Sequence, residues 1–194
     1  QSKNISMTLT PMVFTARLMK KEFPGCKVVF VGPCAAKKLE AIRADIRSDV
    51  DFVLTFEELQ GMFEAKEVDF KSIPVEDEVP LCEASGVARN FAVGGGVAAA
   101  VVEAAKHLAP DREVKVVAAQ GLSECKKMLM LAKAGKYNGY LLEGMCCPGG
   151  CVAGAGTIQP IKKSAAAVGL YSKEAPFESA LESKYDITLP LLKD

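Results

Sequence analysis

Histidine is almost absent from this chain: His107 is the sole one in 194 residues. One imidazole excludes a multi-histidine metal site, so a bound metal would be held mainly by thiolate, which points to zinc or iron–sulfur. Neither sign of charge dominates. Lys and Arg number 24, Asp and Glu number 24, and the formal net charge is zero. That balance argues against a nucleic-acid or membrane-surface footprint, and neither partner is expected. No apolar run approaches the ~20 residues of a membrane span. The first residues, Gln1-Ser2-Lys3-Asn4-Ile5, lack the apolar core of a signal peptide. Two C-x-x-C pairs, as a zinc ribbon needs, are missing, and no P-loop lysine follows the glycine run at Gly94.

Cysteine is plentiful by contrast. There are seven: Cys26, Cys34, Cys82, Cys125, Cys146, Cys147 and Cys151. Seven is odd, so complete internal pairing into disulfides is impossible. A chain of this length, 49% apolar and 25% charged, can bury a core without staples. The cysteines therefore read as intracellular thiols, and a cytoplasmic location is expected.

Hydrophobic patterning predicts strands alternating with helices. Thr10-Pro11 reads as a helix start, and Pro24-Gly25 stops that helix. The apolar run 28–31 reads as a strand buried on both faces, followed by a helix over 35–43. A second strand is expected at 51–54, where Thr55 and Glu58 form a capping-box pattern for the next helix. Further strands fall at 114–118 and 140–142, with helices at 97–107 and from 122. The tail from 161 reads as mainly helical, with Pro176 as a helix start. The fold class is therefore α/β, with mostly parallel sheets flanked by helices. Pro74, Pro80 and the acidic run Glu76-Asp77-Glu78 mark 66–84 as a linker or crossover. It separates a first lobe, 1–65, from a second, 85–194, that carries the C-terminal helices. Ligands of parallel α/β sheets sit beyond the carboxyl ends of the strands. Cys34 follows one such end, and Cys146, Cys147 and Cys151 follow another.

The stretch Met145-Cys146-Cys147-Pro148-Gly149-Gly150-Cys151-Val152-Ala153-Gly154-Ala155-Gly156 is the densest signal. Its glycines let backbone approach a ligand and supply positive φ angles. Exposed amides in such a loop suit an anionic, thiolate-bound iron–sulfur cluster. Cys147 and Cys151 lie about one turn apart if that segment is helical. The spacing favours metal binding over a redox loop or buried thiols without excluding either. Gly32-Pro33-Cys34-Ala35-Ala36-Lys37-Lys38 is the second signal. A cysteine between strand and helix gains thiolate character from the helix dipole, and Lys37 can donate to an anion. A small hydrophobe in a βα turn fits equally. Gly94-x-Gly96-x-x-Ala99 is a weak dinucleotide pattern lacking the strand it requires, so helix packing is the better reading. Cys125 belongs to an apolar helix face, Cys26 and Cys82 are structural, and His107 ends a helix.

Taken together, these segments resemble the catalytic, H-cluster domain of the iron-only (FeFe) hydrogenases. Pro33-Cys34-Ala35-Ala36-Lys37-Lys38 is similar to that family's second cysteine motif. Residues 143–156 are similar to its third, and Glu83-Ala84-Ser85-Gly86 with Phe91 and Gly95-Gly96-Val97 resembles the stretch between them. The resemblance implies a two-lobed catalytic-domain fold with the first lobe incomplete. It implies a 4Fe–4S cluster joined to a two-iron subcluster. Cys34, Cys147 and Cys151 would be cluster ligands, with Cys151 the bridging thiolate. Lys37 would donate to a cyanide ligand, Met145 would pack near the bridging CO, and Pro33 and Phe91 would line the pocket. Partners implied are dihydrogen and protons, an upstream segment of the same domain, and a ferredoxin-type electron donor.

Two departures qualify that expectation. The family's first motif, of the type Thr-Ser-Cys-Cys-Pro, does not occur in these residues. The chain is therefore expected to be the C-terminal part of a longer domain, short of one cluster ligand. Gly32 stands where prototypical enzymes carry methionine, as in the family's sensory branch. Little hydrogenase activity is expected of the isolated chain, with the cluster absent or degraded after exposure to air, and self-association through exposed apolar surface and a sheet edge is expected too. The alternative is a hydrogenase-like iron–sulfur assembly or carrier protein.

Overall fold

The computed structural model describes residues 2–74 and 83–185. The expectations for Glu76-Asp77-Glu78, Pro80 and Cys82 lie outside the described residues. Two compact units divide the chain. Residues 2–74 with 155–158 form the first, and 83–154 with 159–185 the second.

In the first unit α1 (Pro11–Glu22) starts at Pro11, with Thr10 extended before it. Its Met12, Val13 and Ala16 are buried with Ala41, Ile46 and Val50, and Leu9, Val28, Phe30 and Val53 pack against them. Each large apolar side chain removed from water stabilises by about 1.5–3 kcal/mol. Strand β1 (Val29–Gly32) pairs in parallel with β2 (Phe52–Thr55), from Val29 opposite Phe52 to Gly32 opposite Thr55. Helix α2 (Ala36–Ala41) is the crossover element between them. Beyond β2, α3 (Phe56–Ala65) opens on the expected capping box: Glu58 N–H donates to Thr55 Oγ1 at 3.1 Å and Thr55 N–H to Glu58 Oε2 at 2.8 Å.

One expectation for β1 fails. The strand is covered on one face, not two. Phe30 packs on the core while Val29 and Val31 are 47% and 37% exposed. A two-stranded sheet with α1 on one side leaves the alternate side chains in water.

In the second unit α4 (Gly86–Arg89) precedes α5 (Gly96–Leu108). Strand β3 (Val116–Gln120) leads through α6 (Leu122–Lys133) to β4 (Leu141–Met145). The two strands are parallel, with Val116 opposite Leu141 and Gln120 opposite Met145. The sequence therefore places α6 correctly as a βαβ crossover. Helix α7 (Ile161–Lys173) is fastened to α4 by polar bonds: Ser172 Oγ donates to the Gly86 carbonyl at 2.7 Å and Asn90 Nδ2 to Ser172 Oγ at 2.8 Å. Pro176 does not start a helix. The next element is the one-turn 3-10 helix Ala180–Glu182, capped by the buried Ser179, whose hydroxyl accepts from the Leu181 N–H.

Candidate metal centre

The two cysteine motifs lie in different units, and each is built by its own strand end. In the first unit β1 stops at Gly32, and Pro33 and Cys34 occupy the turn before α2. Pro33 and Cys34 are half-buried, and Cys34 is in no disulfide among the described residues. The Pro33 carbonyl is held in place, accepting the Gly156 N–H at 3.0 Å. Helix α2 spans 6 residues rather than the expected 35–43. So short a helix sums few peptide dipoles, which weakens the dipole argument for a Cys34 thiolate.

Lys37 lies on α2, half-buried, and its Nζ donates to Glu40 Oε2. The other Glu40 oxygen accepts from Thr10 Oγ1 at 2.6 Å. Burial pushes the Glu40 carboxyl up, but the bonds from Lys37 and Thr10 outweigh it, and the net shift is below the ordinary 4.5. Lys38 turns elsewhere: its Nζ reaches both Glu58 carboxylate oxygens at 2.8 Å and the Val53 carbonyl at 3.2 Å.

In the second unit Met145 ends β4, and the thiol-bearing loop follows at once. Cys146 is exposed, whereas Cys147 and Cys151 are half-buried. The segment from Cys147 to Cys151 is a tight turn and not helical, so the condition under which the two sulfurs lie one helical turn apart is not met. Gly150 N–H donates to the Cys147 carbonyl at 3.0 Å. Gly149 and Gly150 have φ of 107° and 91°, a left-handed region that breaks a right-handed helix. Cys151 then opens the one-turn 3-10 helix Cys151–Ala153.

Gly150 is required by its surroundings as well as by its φ. A Cβ there would stand 2.5 Å from Gly94 N and 2.7 Å from the Ala92 carbonyl oxygen. The loop is thus seated on the backbone of residues 92–94. Gly94 N–H donates to the Gly149 carbonyl at 3.1 Å, and Gly149 N–H donates to Gln120 Oε1 at 2.7 Å. The half-buried Phe91 lies in the 3-10 turn Asn90–Ala92, which packs against the turn that begins at Cys151.

Glu143 and Gln120 are site-building residues that sequence reasoning passed over. Glu143 is a buried carboxylate on β4. It accepts from Gly95 N–H and Ala98 N–H, each at 2.6 Å, and so caps the start of α5. The amides a dinucleotide phosphate would need are therefore taken, which removes the nucleotide reading of the glycine run. An acid directly after the apolar pair Leu141-Leu142, two residues before Met145, was the available signal. Cys125 packs at the ends of β3 and β4, its thiol 3.6 Å from the Ala119 and Met145 carbonyl oxygens. His107 lies in the last turn of α5 as expected, its Nδ1 3.1 Å from the Glu103 carbonyl oxygen and 3.4 Å from Glu103 Oε1.

No three His, Cys, Asp or Glu side chains converge as a metal site among the described residues. The donors within the motifs are sulfur throughout, on a loop whose glycine backbone admits a close ligand. That chemistry fits thiolate-bound iron–sulfur better than a hard cation.

The chain matches a known family of proteins. Residues 1–155 match the family model of the iron only hydrogenase large subunit, C-terminal domain. The NADP-reducing hydrogenase subunit HndD of Solidesulfovibrio fructosivorans is 31% identical over 201 aligned positions, covering 84% of this chain and 34% of that protein. The periplasmic Fe hydrogenase large subunit of Nitratidesulfovibrio vulgaris is 32% identical, covering 76% of this chain and 42% of that one. Among solved structures, an FeFe hydrogenase from Chlamydomonas reinhardtii aligns with a TM-score of 0.65 at 20% identity, over 94% of this chain and 64% of that one. The fold and the loop thus define an α/β domain with a cysteine- and glycine-rich segment beyond the end of a parallel strand. The chain belongs to the family formed by the C-terminal domains of iron-only hydrogenase large subunits. It spans from about a third to two fifths of the length of these two curated relatives. No helix among the described residues is long and apolar enough to cross a membrane.

Proposed function

We propose that this chain is part of an H-cluster domain, in which Cys34, Cys147 and Cys151 hold a 4Fe–4S cluster and Cys151 also reaches a two-iron subcluster. The observation that carries this reading is the loop Met145–Gly156. It sets half-buried sulfurs at a strand end on a backbone that tolerates no side chain at Gly150. The two-iron subcluster, when bound, supplies the redox chemistry of reversible proton reduction and dihydrogen oxidation. The protein's part is positioning, hydrogen bonding and exclusion of water. Lys37 donates to the anionic ligand set. Met145 contributes a soft thioether contact. Pro33 and Phe91 keep water out. Partners on this reading are dihydrogen and protons, an upstream segment of the same domain, and a ferredoxin-type electron donor, because no C-x-x-C-x-x-C relay occurs in the sequence. Seven cysteines, an odd number, read as intracellular thiols and suit the cytoplasm.

The test is anaerobic maturation of the full chain, followed by iron and sulfide analysis, infrared spectroscopy and hydrogen evolution with reduced viologen. Infrared bands of CO and cyanide are expected, together with a cluster signal lost in Cys147→Ser and Cys151→Ser. Little turnover is expected, since these residues include neither a Thr-Ser-Cys-Cys-Pro motif nor a methionine at position 32. A stable 4Fe–4S cluster without those bands would select the assembly or carrier reading. A cluster indifferent to both serine substitutions would overturn the ligand assignment.

A further inference from the structure

Thr10 stands at the N-cap of α1 with extended backbone, the place where a threonine hydroxyl ordinarily accepts from the helix amides. It makes no such bond. Its hydroxyl instead donates to Glu40, thirty residues away, at 2.6 Å. Glu40 spends its second oxygen on the Lys37 ammonium. The lysine and glutamate side chains are 23% and 16% exposed, so neither is a solvated surface charge. Among the described residues Glu40 is the only polar partner of Lys37. An ammonium has three N–H donors, and this pairing uses one.

We propose that Glu40, itself fixed by Thr10, is a positioning residue that holds the Lys37 ammonium in place, three residues beyond Cys34, with two N–H donors left for an anionic ligand. The inference rests on the reading of Lys37 given above, and adds what aims it. A flexible four-carbon stem would otherwise lose several rotamers on ordering, and the carboxylate removes that freedom before the ligand arrives. Thr10 ties the carboxylate to α1, so the aim of Lys37 depends on a helix outside the cysteine motif. Arg43 is the other cation acting on Glu40, and its guanidinium is engaged by Asp45 at 2.8 Å.

Two measurements test this. In the metal-free full chain, amine labelling with acetic anhydride is read lysine by lysine by mass spectrometry. Glu40→Gln and Thr10→Val are expected to raise labelling of Lys37 several-fold, because the half-buried Nζ is then no longer held against a fixed carboxylate. Thr10→Ser should restore the wild-type rate, and Lys38, held by Glu58, should not change in any variant. In the matured chain, Glu40→Gln is expected to shift the cyanide infrared bands, which a purely structural role would leave in place. Unchanged Lys37 labelling overturns the pairing. Faster labelling with unmoved cyanide bands overturns its role toward the ligand. Absence of cyanide bands from the wild-type chain overturns the H-cluster reading and the ligand role with it, while the labelling still decides whether Glu40 holds Lys37.

Discussion

Gly32 is buried, and the ring of Phe30 lies where its side chain would be. A Cβ at position 32 would meet Phe30 Cε1 at 2.8 Å and Cζ at 2.9 Å. Residues two apart on a strand share a face, so a larger side chain there must displace the ring or bend the strand. Gly32→Met, which restores the residue usual in prototypical enzymes, is expected to destabilise the fold by about 1–3 kcal/mol. Phe30→Ala is itself destabilising because the ring packs on the core, but the double variant should lose less than the two singles added together, a coupling read by denaturant unfolding of all three. A double variant no more stable than the sum of the singles would show that Phe30 does not fill the space. The sequence exposes the glycine but not its occupant, because the lean of a ring along a strand is set by tertiary packing. The same holds for Thr10, legible as a helix start and illegible as a partner of Glu40 thirty positions away.

At the scale of elements, α5 depends on a cap from β4. Glu143 satisfies Gly95 N–H and Ala98 N–H from a buried position. Glu143→Gln keeps one acceptor and loses the charge, and charge-assisted bonds of this kind contribute about 1.5–3 kcal/mol. The expected result is a lower melting temperature and faster hydrogen exchange at Gly95 and Ala98, with α7 unaffected. Local signals in the sequence sufficed for much else at this scale. The Thr55–Glu58 capping box, the four strands and α6 all follow from nearest neighbours in the chain. What nearest neighbours did not disclose is decided by distant residues. The exposed face of β1 depends on what covers the sheet, and the turn at Cys147 depends on where Gly150 meets the backbone of residues 92–94.

Across the whole molecule, the carboxylates with lowered pKa among the described residues are Glu40, Asp51 and Glu58, and all three belong to the first unit. Asp51 is held down by Lys20, the Val28 N–H and Lys27, and Glu58 by Lys38 and the Thr55 N–H. A carboxylate depressed on folding stabilises fully above its ordinary value and loses that contribution as pH falls. The ordinary values here are 3.8 for Asp51 and 4.5 for the glutamates. Acidification below those ordinary values should therefore loosen the first unit before the second. Hydrogen exchange followed from neutral to acid pH should show β1 and β2 losing protection ahead of β3 and β4, and the reverse order would contradict the assignment.

Residues 155–158 belong to the first unit although they follow the thiol loop of the second. Gly156 donates to the Pro33 carbonyl at 3.0 Å and accepts from Glu57 N–H at 3.2 Å. Its missing side chain is what lets Thr55 approach, since a Cβ would lie 2.3 Å from the Thr55 Cβ. On the ribosome, then, the order of synthesis and the order of completion differ. Domains ordinarily fold as they emerge, the N-terminal one first. Here α1 through α3 are translated early, yet the unit that carries Cys34 is finished only after the strap behind Cys151 has left the exit tunnel. Neither cysteine motif belongs to a completed unit until both have been made.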